Sequence, residues 1–173
     1  MGSESAPVAL ARQSLTHYLA THEYLPTPAG LPDELKVRAG VFVSLKKRGE
    51  LRGCIGTFGP TQPDIAAEII HNAVSAGTQD PRFWPVEAGE LPELNISVDI
   101  LSAPERVDGL ADLDPKKYGV IVRRGRRSGL LLPDLAGVDT VEEQVGIAMQ
   151  KAGIAAGEEI ELYRFSVTRY GKE

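Results

Sequence analysis

The one cysteine of this chain, Cys54, sits in Leu51-Arg52-Gly53-Cys54-Ile55-Gly56-Thr57-Phe58, a stretch that also carries an arginine and two glycines. Read as a half-buried strand, alternation puts Arg52, Cys54 and Gly56 on one face and Leu51, Gly53 and Ile55 on the other. A guanidinium two residues from a thiol favours the thiolate, and a glycine beside it clears room for a ligand. Cys54 is therefore the candidate nucleophile or redox thiol, with Arg52, Gly53, Gly56 and Thr57 as candidate ligand contacts. The competing reading is a cysteine that packs as a small hydrophobe. Nucleophilic catalysis also needs a base, and His17, His22 and His71 all fall on expected helices with no evident acidic partner.

A second cluster is Thr78-Gln79-Asp80-Pro81-Arg82-Phe83-Trp84-Pro85, which has no periodicity and reads as a loop. Asp80 and Arg82 either fix that loop as an ion pair, or Arg82 joins Arg52 in a fork for a carboxylate or phosphate, which suits the planar guanidinium. Phe83 and Trp84 offer stacking surfaces but read more readily as core anchors. The run Arg123-Arg124-Gly125-Arg126-Arg127 is the one concentration of positive charge. At a hairpin tip it reads as a solvated turn, and too little basic surface surrounds it for nucleic-acid binding. No group of Cys, His and carboxylates has metal-ligand spacing, so no metal or cofactor is expected. P-loop, G-x-S-x-G and G-x-G-x-x-G signatures are missing as well.

The elements that must position these residues follow from periodicity. Ala6 to His22 reads as an amphipathic helix with Ser5 as N-cap, and Leu25 to Pro32 as a proline-rich surface loop. Gly40 to Lys46 alternates and turns at Lys47-Arg48-Gly49, so a hairpin delivers Cys54. Thr61 and Asp64 then open a helix through Ala66, Ile69, Ile70, Ala73 and Val74, ended by Gly77. Its start offers unpaired N–H groups, making Gly56 to Asp64 a place where an anion would sit. Leu94 to Leu101 is a clean alternating strand; Tyr118–Arg123 and Gly129–Leu132 form a second hairpin. Thr140 and Glu143 make a capping box for a helix ending at Gly153, and Ile160 to Tyr170 closes the chain as one strand. Hairpins with interposed helices predict an α+β fold on antiparallel pairing, not a doubly wound parallel sheet.

Composition bounds the rest. The 173 residues suit one domain spanning residues 6–170, with or without a small satellite, and residues 1–5 as a disordered N-terminus. Charged residues at 25% and hydrophobic residues at 42% are ordinary for a folded soluble chain, and a formal charge of −5 gives no general attraction to phosphate backbones or anionic lipid. One cysteine makes no internal disulfide, no run spans a bilayer, and Met1 to Ser5 is not the start of a signal peptide, so a cytosolic address is expected.

Along nearly its whole length the chain resembles the AMMECR family, called AmmeMemoRadiSam system protein A in prokaryotes. The resemblance rests on Leu51 to Phe58, Asp80-Pro81-Arg82-Phe83, the Val98–Leu101 strand near Pro104-Glu105, Gly129-Leu130-Leu131-Leu132-Pro133, Lys151-Ala152-Gly153 and Tyr163-Arg164-Phe165. It implies an α+β fold with a larger and a smaller lobe around a cleft to which the cysteine motif contributes, and a pathway shared with Memo-like and radical S-adenosylmethionine proteins. It implies no settled activity, and one cysteine could not hold an iron–sulfur cluster. Two functions are expected to compete, with RNA or nucleotide binding as a lesser alternative. One is binding or modification of a small anionic or planar metabolite at Arg52, Cys54, Asp80 and Arg82; the other is non-catalytic docking of a pathway partner.

Overall fold

The Lys47-Arg48-Gly49 signal gives a tight hairpin, because Arg48 and Gly49 both take left-handed backbone (φ 53° and 81°), the geometry that matches the twist of paired strands. In the computed structural model, which describes residues 4–171, this turn joins β1 (Val41–Lys47) to β2 (Glu50–Thr57). β1 pairs on its other side with β3 (Leu94–Leu101), and β8 (Val167–Tyr170) lies beyond β3, so the sheet runs β2-β1-β3-β8 with β2 at an edge. Val41, Val43, Leu45, Ile96 and Val98 form the buried face.

Over that face lies α2 (Ile65–Thr78), capped by Asp64, whose carboxylate accepts the Ala67 N–H at 2.8 Å. α1 (Ala6–Thr21) packs on α2, with the Ser14 hydroxyl donating to the Ile70 carbonyl at 2.7 Å in the interior. Two expectations change here. Ser5 is the N-cap residue of α1 but its side chain caps nothing. Gly77 does not end α2, which continues to Thr78; it stays helical and lets Leu15 of α1 come close, since a methyl group there would run into that side chain. Of the segment expected to be disordered, residues 1–3 lie outside the described residues, and Glu4 pairs with Arg12 at 2.7 Å.

The chain divides into two compact units, one reaching to Ile100 and resuming at Thr168, the other Leu101–Val167. The second has its own antiparallel sheet, β4 (Glu105–Val107), β7 (Glu161–Phe165), β5 (Gly119–Arg124) and β6 (Arg127–Leu131) in that order. α3 (Val141–Ala152) covers it around Val120, Val122, Val145 and Ala148, capped by Thr140 and closed by left-handed Gly153 as its sequence predicts. The expected single strand Ile160–Tyr170 is two. Ser166 interrupts it, its N–H donating to the Ser102 hydroxyl at 2.8 Å and its carbonyl accepting from the Ser102 N–H at 2.9 Å, so that β7 and β8 serve different sheets. Two antiparallel four-stranded sheets with helices make the fold α+β.

Candidate functional site

On β2 the expected alternation breaks at Arg52. The β1–β2 register shifts between Leu45 and Lys46, so Gly53 lies opposite Leu45 and Leu51 opposite Lys46, leaving Arg52 without a partner residue in β1. Leu51 is consequently 38% exposed, not on the buried face. Arg52 turns to the loop after α2. Its Nε and Nη2 donate to the Glu90 carboxylate at 3.0 and 3.1 Å, Nη1 to the Trp84 carbonyl at 2.7 Å, and Nη2 to the Pro85 carbonyl at 3.3 Å. Every nitrogen of the guanidinium is engaged, and Arg52 staples the loop to β2. Glu90 is pulled down to about 2 by these bonds, helped by the Glu87 N–H and Lys47, against the opposing effect of burial.

Cys54 and Asp80 do come together, through the backbone. The Asp80 carboxylate, 4% exposed, accepts the Cys54 N–H at 3.0 Å and the Arg82 N–H at 3.0 Å. Arg82 grips the same carboxylate through Nε (3.0 Å) and Nη2 (2.7 Å), while Nη2 also donates to the Cys54 carbonyl at 3.4 Å. The Asp-Pro-Arg turn thus covers the open edge of β2 at Cys54, meeting both its N–H and its C=O as a neighbouring strand would. Arg82 holds Asp80 far below the usual carboxylate range, and Asp80 raises Arg82 in return. The Arg82 side chain is still 56% exposed, lies over the Phe83 ring at 5.3 Å, and keeps Nη1 without a partner among the described residues.

The Cys54 side chain is half-buried, and its sulfur lies 3.2 Å from the Ser44 hydroxyl on β1. Among the described residues that hydroxyl is its one hydrogen-bond partner. His71, the histidine nearest in sequence, stacks on Tyr24 at 4.3 Å instead. Gly53 faces α2, where a Cβ would collide with the Ala76 carbonyl, so glycine here lets the helix lie close to the strand. The room expected beside Gly56 is filled by the Phe42 ring from the opposite position on β1.

Thr57 belongs to a different cluster, and with it the expected anion loop acquires its anion. Glu68 of α2, 1% exposed, accepts the Thr61 N–H (2.6 Å) and hydroxyl (2.6 Å), the Gln62 N–H (3.0 Å) and the Thr57 hydroxyl (2.9 Å). Burial would raise its pKa, but the bonds from Thr61, Gln62 and Thr57 outweigh burial and lower it. The protein's own carboxylate therefore occupies the place foreseen for a ligand.

Trp84, expected in the core, is 87% exposed. The basic turn is compensated by acids on the following segment: Arg124 and Arg127 reach Glu158 at 3.4 and 3.1 Å, and Arg123 reaches Glu161 at 3.1 Å. No group of three or more potential metal ligands occurs among the described residues. The sequence reading missed Ser44, Glu68 and Glu90. Ser44 was visible as the polar position between Val43 and Leu45, and Glu68 as a charge inside an apolar helix face. Glu90, 38 residues from Arg52, carried no local signal.

A family profile described as AMMECR1 matches residues 8–170. A protein of Thermotoga maritima is 52% identical over 173 residues, covering 98% of this chain and 99% of its own length. A Clostridium acetobutylicum protein is 53% identical over 94% of this chain, which spans only 35% of that longer protein. The crystal structure of an uncharacterized protein from Pyrococcus horikoshii superposes with a TM-score of 0.86 at 31% identity, covering 99% of this chain and 93% of that one. No helix among the described residues is long and apolar enough to cross a membrane. With a profile match from residue 8 to residue 170 and relatives aligned over nearly the full length, this chain belongs to the AMMECR1 family.

Proposed function

We propose that the Cys54–Arg82 surface is a binding site for a small ligand bearing a single carboxylate. The observation that carries this reading is the Nη1, without a partner among the described residues, of a half-exposed arginine whose other donors are fixed on Asp80 and on the Cys54 carbonyl. A guanidinium held this rigidly gives up little freedom on binding. Because Asp80 already neutralises it, the pair suits a monoanion better than a dianionic phosphate, which would face the Asp80 charge as well. This narrows the anionic metabolite expected from the sequence. Cys54 contributes a thiol at the same surface, and with only the Ser44 hydroxyl beside it the geometry favours recognition over nucleophilic attack.

The test titrates acetate and, separately, inorganic phosphate into isotope-labelled protein, reading the Arg82 Nε and Cys54 amide signals. Acetate should saturate with shifts at both positions, and the Cys54 amide should no longer respond to it in Arg82→Gln. Phosphate binding as tightly as acetate, or acetate binding unaffected by the substitution, would defeat the reading.

A second reading is favoured by Trp84. Its indole is almost fully exposed while its carbonyl is pinned by Arg52, an arrangement suited to an interface anchor, where tryptophan is enriched. On this reading the chain docks a pathway partner, for which the Memo-like and radical S-adenosylmethionine proteins are the candidates. Co-elution with a Memo-like protein should be lost in Trp84→Ala; co-elution that survives the substitution removes Trp84 from the interface.

A further inference from the structure

In an antiparallel pair, opposed residues alternate between those that exchange hydrogen bonds and those whose N–H and C=O point away. Cys54 is of the second kind, since its N–H reaches Asp80 and its C=O reaches Arg82, both outside the β1–β2 pair. Its opposite number is Ser44, so Ile55 opposite Val43 exchanges bonds, and Gly56 opposite Phe42 again points its N–H and C=O outward along the free edge of β2. At Cys54 the edge is closed by the Asp80–Arg82 turn. At Gly56, half-buried, neither outward group has a partner among the described residues. A backbone donor and acceptor thus stand open two strand residues, about 6.6 Å, along β2 from Cys54, whose carbonyl accepts from the Arg82 guanidinium.

We infer that this edge receives the C-terminal end of an extended peptide. A peptide running antiparallel to β2 can exchange two hydrogen bonds with Gly56 through one residue. It cannot continue past Cys54, because the Asp80–Arg82 turn occupies the next pairing position. The peptide must therefore end there. Its penultimate residue pairs with Gly56, and the terminal carboxylate falls in front of the Arg82 guanidinium. The carboxylate requirement rests on the reading given under Proposed function; the peptide requirement comes from the edge. Side-chain selection follows from the same residue. Gly56 has no side chain, and the Phe42 ring lies over it, so the penultimate side chain of the peptide meets an aromatic surface, which a large apolar or aromatic residue covers best. Recognition of this kind combines strand addition with capture of a chain end.

The probe is N-acetyl-Ala-Phe-Ala with a free carboxylate, titrated into isotope-labelled full-length protein with the Gly56 amide as reporter. Its controls are acetate, the same peptide as its C-terminal amide, and the peptide N-methylated at the phenylalanine nitrogen, which removes the donor to the Gly56 carbonyl while leaving the protein unaltered. The free peptide should shift the Gly56 amide downfield and bind about tenfold tighter than acetate, the effect of two added backbone hydrogen bonds. Both modified peptides should lose that gain. If acetate binds and the free peptide binds no tighter, or if the N-methylated peptide matches its parent, edge pairing is wrong and the carboxylate site stands alone. If neither acetate nor peptide moves Arg82 or Gly56, both readings fall together.

Discussion

Arg52 and Arg82 illustrate how two arginines in neighbouring motifs divide their labour. Arg52 spends its planar fork on one carboxylate and two carbonyls, holding Trp84 and Pro85 in place, while Arg82 keeps one nitrogen for solvent. The geometry makes Arg52→Lys a disruptive change although it preserves charge, because an ammonium cannot reach the Glu90 carboxylate and both carbonyls from one position. The expected loss is about 1–3 kcal/mol in urea unfolding, from hydrogen bonds to a charged group. Trp84 is the chain's only tryptophan, so its emission reports this loop alone, and its anisotropy should fall in the variant. Unchanged anisotropy with unchanged stability would show that the loop holds its shape without Arg52.

At the scale of elements, the strand β2 and helix α2 are joined by close approach at one end and by a buried carboxylate at the other. Gly53 allows the Ala76 carbonyl to sit where a side chain would be, and that atom belongs to helix backbone, which cannot yield cheaply. Gly53→Ala should therefore destabilise by about 1–3 kcal/mol, the range for overpacking, with a lower melting midpoint as the check; a neutral effect would mean α2 can slide along the sheet. Glu68→Gln tests the other end. The amide keeps one acceptor but turns the other into a donor facing the Thr57 and Thr61 hydroxyls or the Thr61 and Gln62 N–H groups. Hydrogen exchange at Thr61 and Gln62 should accelerate about tenfold or more, as local opening loses a charge-assisted bond. Exchange unchanged from the wild type would show that the loop is held by something other than Glu68. Much of this framework was legible in sequence, because β1, β3 and α3 announce themselves through alternation, a capping box and a closing glycine. The register shift at Arg52 was not, since a bulge is one extra residue in a pattern that local alternation reads straight through. The meeting of Asp80 with Cys54 was foreseen only as two motifs sharing a site. That the contact runs through the backbone of an edge strand depends on which strand lies at the edge, a matter of strand order that residue spacing does not encode.

Across the whole chain, acidic groups outnumber basic ones, 24 to 19, and the structure uses several carboxylates as internal partners. Glu158 and Glu161 answer the arginines of the Arg123–Arg127 turn more than 30 residues earlier, a pairing invisible to a reading of the turn as solvated. Asp80, Glu68 and Glu90 all have pKa values lowered in the folded state. A lowered folded-state pKa means that the unfolded chain binds protons more readily, so the stabilisation is complete above the unfolded values and is lost as pH falls through the folded ones. For Glu90 the window runs from 4.5 down to about 2, which corresponds to a linkage contribution on the order of 3 kcal/mol at neutral pH. Stability measured by urea unfolding should therefore stay level from pH 7 to about pH 5 and decline below it. Glu90→Gln should be less stable than the wild type at pH 6, and the gap should close progressively as the pH approaches 2, because protonation then removes from the wild type the charge that the variant already lacks. A gap that stays constant from pH 6 to pH 2 would mean that Glu90 holds the Arg52 loop by shape and hydrogen bonding alone, with no contribution from its charge.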